Sequence, residues 1–119
     1  MIAVTRPRCW VDRVIDSDTL SLWIEATPDC RIRYRSRLVG IEGGEIGTTD
    51  GTRGTQALTE LLQELEPDQL HWNGSFLTKD QHGRLVGDVM TNDGRRLTAI
   101  LRDRGTHWRR TKSGAEFRS

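Results

Sequence analysis

Long apolar runs are missing from this sequence. No stretch approaches the roughly 18 apolar residues of a membrane span. Met1 to Trp10 holds two arginines and a proline instead of an apolar leader core. The expectation is a soluble, cytoplasmic protein with no signal peptide, no transmembrane segment and no membrane partner. Surplus charge of either sign is missing too. Eighteen basic residues stand against 17 acidic ones, for a formal charge of +1, so total charge does not identify a nucleic-acid binder. Any basic patch has to come from the placement of the arginines. Cysteine is scarce: Cys9 and Cys30 are the only two. Thiols of an intracellular chain are most often reduced, and the sequence leaves open whether these two pair. His71, His82 and His107 show no zinc spacing. No pattern points to haem or a nucleotide cofactor. Aromatic residues make up only 6% of the chain, and four of them are tryptophans. Trp10, Trp23, Trp72 and Trp108 suit core or rim packing better than base stacking.

What is there fits one domain with one modest core over residues 1–119. Val11 to Ile15 reads as a strand, and Asp16-Ser17-Asp18 as a turn of short polar residues. From Thr19 to Glu25 the pattern alternates, with Leu20, Leu22 and Ile24 on one face and Thr19, Ser21 and Trp23 on the other. The two strands form a hairpin with Asp16 and Asp18 at its tip. Arg31 to Ile41 is a third strand, carrying Arg33, Arg35 and Arg37 on one face. Such a row is either a solvated face or a phosphate track. Glu42 to Gly54 lacks a period and reads as a mobile surface loop. Leu58, Leu61, Leu62 and Leu65 have helical spacing, so a helix is expected over 55–65, capped by Thr52 or Thr55 and stopped by Pro67. Further strands are expected at Gln69–Thr78, with Gly74 as a bulge, and at Arg84–Thr91. The polar turn Lys79 to Gly83 lies between them. A short helix is expected over Arg95–Arg104, with Gly105 behind it, and a polar, frayed tail over 111–119. This order implies an α+β fold: a small five-stranded Greek-key barrel of the oligonucleotide/oligosaccharide-binding (OB) kind with two helices.

Four acidic positions fall at neighbouring strand ends: Asp16 and Asp18 at the hairpin tip, Glu42 and Glu45 after the third strand. Converging carboxylates repel one another, and a hard cation is the usual resolution. Arg37 precedes one pair and Arg84 opens the fifth strand. Carboxylates for a metal together with two guanidinium groups suit a phosphodiester.

Three stretches resemble the motifs of the staphylococcal-nuclease (thermonuclease) family: Val14 to Leu20, Arg37 to Glu45, and Lys79 to Val86 with its Gly83-Arg84 pair. Asp93-Gly94-Arg95 through Arg104-Gly105 resembles the helix that follows. The motifs stand in family order over roughly residues 9–110. The resemblance implies a Ca²⁺-dependent phosphodiesterase that cleaves DNA or RNA, with Mg²⁺ or Mn²⁺ as other candidate ions. By position it makes Asp18, Glu42 and the Gly43 carbonyl the metal ligands, with Asp16 one step behind them. It makes Glu45 the general base, and Arg37 and Arg84 the groups that hold the phosphate. Arg33, Arg35, Lys79 and His82 become candidate nucleic-acid contacts. Beyond the motifs, Thr106 to Thr111 lacks the tyrosines that flank the nucleotide in the best-known member of the family, and within them the pattern departs at three places. Glu42 replaces an aspartate, Gly44 replaces a proline that would fix the backbone before Glu45, and His82 replaces a tyrosine. The competing expectation is a module of the same fold that binds nucleic acid or a protein without catalysis.

Overall fold

The computed structural model of the chain describes residues 6–44, 47–111 and 114–115. Its first half is a three-stranded antiparallel meander: β1 (Arg8–Asp16), β2 (Thr19–Thr27) and β3 (Cys30–Leu38). The alternation in β2 has the expected consequence, because Leu20, Leu22 and Ile24 are buried and Trp23 faces outward. Register shifts between Val11 and Arg13 and between Val14 and Asp16 bend β1. Such irregularities supply the curvature a small barrel needs.

The third strand is shorter than the sequence suggests. It ends at Leu38, and the chain turns through Gly40 at φ +76° into a two-residue strand, β4 (Ile41–Glu42). The expected surface loop after Glu42 is also corrected. Helix α1 spans Thr49–Glu64, six residues earlier than leucine spacing alone indicates. Its cap is Thr48, whose Oγ1 accepts a 3.0 Å hydrogen bond from the Gly51 N–H, and not Thr52 or Thr55. The first turns of α1 lack an apolar stripe because they are buried through glycine: Gly51 and Gly54 lie inside, and Leu58 and Leu61 continue the same buried side.

A short 3-10 turn at Pro67–Gln69 leads into β5 (Leu70–Lys79), which pairs with β6 (Leu85–Met90). The ladder between them is irregular after Gly74. β6 runs parallel to β3, and β5 pairs with β1, so the order β1-β2-β3-β6-β5 closes into a barrel. Helix α2 (Leu97–Asp103) follows, with Gly105 behind it at φ +80°. The expected frayed tail is corrected in part. β7 (Trp108–Thr111) pairs with β4 and with β8 (Gly114–Ala115), while 112–113 and 116–119 lie outside the described residues. With its closed five-stranded barrel and two helices, the chain is an α+β, OB-fold-like small domain.

The core joins the barrel interior to both helices through Leu20, Leu22, Leu58, Leu61, Leu97 and Leu101. Cys9 is buried and Cys30 exposed, and both are free thiols. Burial pushes the Cys9 thiol up to about 12. No helix among the described residues is long and apolar enough to cross a membrane.

Asp88 ties β6 to α2. Its Oδ2 accepts from Thr98 Oγ1 at 2.6 Å, and its Oδ1 accepts from the Val89 N–H at 2.8 Å. Burial pushes the Asp88 carboxyl up from its ordinary value, against the lowering effect of these bonds. A raised folded-state value means that the native chain holds this proton more tightly than the unfolded chain. The contribution of Asp88 to stability therefore falls as pH rises from the ordinary aspartate range through the raised value, and is level above it. Asp88→Asn keeps the backbone acceptor and is uncharged. Denaturant unfolding from pH 4 to 8 is expected to show this fall in the parent and its removal in the variant. Parallel curves for the two proteins would refute it.

Candidate active site

The β1–β2 turn is held from three directions. The Leu38 N–H donates to the Asp18 carbonyl at 2.7 Å, fixing the turn on the end of β3. Ser17 Oγ donates to the Gly44 carbonyl at 3.0 Å. His107, fully buried, places Nε2 2.7 Å from the Ser17 carbonyl. A carbonyl oxygen only accepts, so Nε2 carries the hydrogen of that bond. Asp16 folds back on the turn, with Oδ1 accepting from the Ser17 N–H at 2.7 Å.

Glycine makes this junction possible. A Cβ on Gly43 would stand 2.6 Å from both His107 Nε2 and the Ser17 Cβ. One on Gly54 would stand 2.5 Å from the Gly43 carbonyl oxygen and 2.8 Å from the Ser17 Cβ. The hairpin tip, the segment after β4 and helix α1 therefore meet at backbone distance. The Gly43 carbonyl, a metal ligand on the family resemblance, lies against Gly54 of α1. Gly54→Ala adds helix propensity of about 1 kcal/mol. It is nevertheless expected to destabilise the fold by about 1–3 kcal/mol, because the new methyl meets backbone that cannot rotate away. A urea midpoint equal to or above the parent's would overturn this packing.

The Lys79–Arg84 turn forms the other wall. Asp80 Oδ1 accepts from the backbone N–H groups of His82 and Arg84, both at 2.9 Å, and Oδ2 accepts from Arg84 Nε at 2.8 Å. Burial of Asp80 opposes its ionisation. The backbone bonds from Arg84 and His82 and the Arg84 guanidinium outweigh it, so the carboxyl titrates below its ordinary value. Arg84 is thus held by its Nε side, while its Nη1 donates 3.0 Å to Thr19 Oγ1. The same hydroxyl donates 2.9 Å to Asp18 Oδ1, and Asp18 Oδ2 lies 3.4 Å from Arg37 Nε. A chain of polar contacts, Arg84–Thr19–Asp18–Arg37, crosses one end of the barrel. Its members are largely buried: Thr19 is 2% exposed, and the side chains of Arg37 and Arg84 are 13% and 17% exposed.

The structure therefore brings together Asp18, Arg37 and Arg84, while Asp16 stays on the same turn with its carboxylate folded onto the Ser17 N–H. The backbone of Glu42 lies in β4 and that of Gly43 just after it. The side chain of Glu42 and the whole of Glu45 lie outside the described residues. Arg33, Arg35, Lys79 and His82 are exposed. Among the described residues, no three of His, Cys, Asp and Glu gather closely enough to hold an ion. Asp18 still fits a hard cation chemically. An ionised carboxylate has about four lone-pair directions, and the contacts to Thr19 and Arg37 leave some of them over.

Sequence reading alone does not single out Thr19, Asp80, Ser17, Gly54 or His107. Asp80 carries a local signal, a carboxylate four residues before an arginine across a glycine turn. His107 carries none, because its partner Ser17 is 90 residues away.

The fold and this cluster define a small OB-like barrel with an arginine- and carboxylate-lined end. No family model matches the chain, and no curated protein is significantly similar to it.

Proposed function

We propose that this domain is a metal-dependent nuclease that hydrolyses phosphodiester bonds of DNA or RNA. The observation that carries the reading is the Arg84–Thr19–Asp18–Arg37 chain, which sets two guanidinium groups and a carboxylate at one end of the barrel. Guanidinium groups match phosphate oxygens in geometry and charge. Held in place before the substrate arrives, they stabilise the charge that grows on the non-bridging oxygens during in-line attack. In this reading Asp18 and Glu42 hold a divalent ion, Ca²⁺ first and Mg²⁺ or Mn²⁺ as alternatives, with Asp16 behind them. The bound ion supplies Lewis-acid neutralisation of the phosphate. Glu45 takes a proton from the attacking water as the new P–O bond forms and the bond to the leaving oxygen breaks.

The test is incubation of the purified protein with plasmid and with single-stranded DNA, in Ca²⁺, Mg²⁺, Mn²⁺ or EDTA, beside Glu45→Gln. The expected result is cleavage that needs a divalent ion and falls sharply in the variant. Cleavage that persists in EDTA, or equally in Glu45→Gln, overturns the assigned site. Retained DNA binding with no cleavage under any ion makes the domain a binding module instead.

A further inference from the structure

The outward face of β2 and β3 carries a row of arginines beside tryptophan rings. The register sets Ser21 opposite Arg35, Trp23 opposite Arg33 and Glu25 opposite Arg31, with Arg37 opposite Thr19 at the candidate site. The arginines of β3 therefore leave that site in single file. Successive members are two strand residues apart, about 6.7 Å. Across the neighbouring ladder Trp10 pairs with Trp23, which places two indoles side by side on the same face. Trp23 is 37% exposed, an unusual position for so large an apolar group in a chain with few aromatics.

The guanidinium groups lie on these rings. The Arg31 guanidinium carbon is 3.6 Å from the Trp10 centroid, with Arg8 at 5.0 Å from the same ring, and Arg33 is 5.5 Å from the Trp23 centroid. A guanidinium laid on an indole keeps its in-plane N–H donors for phosphate oxygens and loses little freedom when it binds. Three carboxylates temper the face. Asp12 approaches Arg33 at 3.9 Å and accepts from Ser21 Oγ at 3.1 Å, Glu25 stands opposite Arg31, and Asp68 accepts from Trp10 Nε1 at 3.3 Å while its backbone carbonyl accepts from Arg8 Nη2 at 3.0 Å. The arginines Arg8, Arg31, Arg33 and Arg35 outnumber them, so the face is positive although the whole chain is near neutral.

We infer that this face is a track for single-stranded polynucleotide, leading along β3 into the candidate active site. Its identity as a nucleic-acid track rests on the nuclease reading of that site. Arg31, Arg33 and Arg35 take successive phosphates through their in-plane N–H groups, while the exposed Trp23 ring and the outer face of the guanidinium stacked on Trp10 take bases. Stacking of this kind needs base faces that a paired duplex keeps inside, so a single strand is favoured over a duplex.

The test is equilibrium binding of a fluorescent oligothymidylate to the intact protein in EDTA, across a salt series. With no ion present, binding is read independently of cleavage. The Arg31→Ala/Arg33→Ala/Arg35→Ala variant is expected to bind at least tenfold more weakly. Its dependence of log K on log salt should be shallower by about two, at about 0.7 per lost phosphate contact on a single strand. Trp23→Ala is expected to weaken binding about tenfold with little change of slope, the signature of a lost stacking contact. Arg35→Glu, which alters none of the three stacked contacts, keeps the test valid if the triple variant melts early, and is expected to move affinity and slope in the same direction. Parental affinity and slope in the arginine variants overturn the track, as does a duplex of equal length that competes as well as the single strand. A protein that cuts DNA yet binds unchanged in these variants keeps the nuclease reading and loses the track. One that never cuts yet shows the slope change keeps the track alone.

Discussion

On the proposed nuclease reading, Arg84→Ala is expected to lower phosphodiester cleavage by about 10²–10³-fold, the usual consequence of removing one pre-positioned donor from a developing phosphate charge. The expectation comes from how Arg84 is held. Asp80 grips its Nε and its backbone N–H, and Thr19 receives its Nη1, so the guanidinium is oriented before any substrate binds. Arg84→Lys is expected to recover little of the loss. An ammonium group can replace the charge but not the fork that spans Asp80 and Thr19 together. The fold should survive both changes, because the 2.9 Å bonds from Asp80 Oδ1 to the His82 and Arg84 backbone are independent of the side chain. Initial rates on single-stranded DNA under the best divalent ion, with matched thermal melts, check the pair. Arg84→Ala cutting at the parental rate would remove Arg84 from the reaction, and full rescue by lysine would reduce its role to charge.

The largest effect on stability is expected at Trp72. It is 1% exposed and among the largest fully buried side chains of the domain. Its ring lies over Gly74 and Gly87, where an added Cβ would come within 2.7 Å of ring carbons. β5 and β6 therefore close over the indole, and those strands carry the Asp80–Arg84 turn. Trp72→Ala is expected to cost about 3–5 kcal/mol, a large share of the roughly 5–15 kcal/mol that holds a domain together. Trp72→Phe is expected to cost clearly less. It keeps most of the apolar contact and deletes an indole N–H that is buried without a partner among the described residues. Urea unfolding measures both. A midpoint for Trp72→Ala within error of the parent's would contradict this account of the barrel interior. Cleavage should fall with the folded fraction of Trp72→Ala and remain near parental in Trp72→Phe.

Much of the barrel was legible in the residues. Period-two alternation over Leu20 to Ile24 foretold a half-buried strand, and the short polar turn at Asp16-Ser17-Asp18 foretold the hairpin. Leucine spacing located the inner half of α1. What local patterns missed lies where burial is achieved without apolar side chains. Residues 42–54 read as a mobile loop because glycine and threonine normally mark one. Gly51 and Gly54 are buried in a helix because backbone must approach backbone there. The third strand read as too long because apolar Val39 and Ile41 continue its pattern, while the turn at Gly40 depends on a positive φ that no period reveals.

By itself the sequence determined the alternation of the second strand, the leucine face of the inner half of α1, the lack of any long apolar stretch, and the charged residues available at the strand ends. Those properties are local, set by side-chain chemistry at spacings of two and about 3.6 residues. Only the tertiary structure decided which of those charges meet. Closing β1 onto β5 and running β6 beside β3 brings Arg84 to Thr19, 65 residues apart, and buries His107 against Ser17, 90 residues apart. Contacts at such separations follow from barrel closure and from glycine-lined close approach, and neither leaves a periodic trace in the chain. The sequence motifs named Asp18, Arg37 and Arg84 as candidates, but the contacts that join them through Thr19 exist only once the barrel closes.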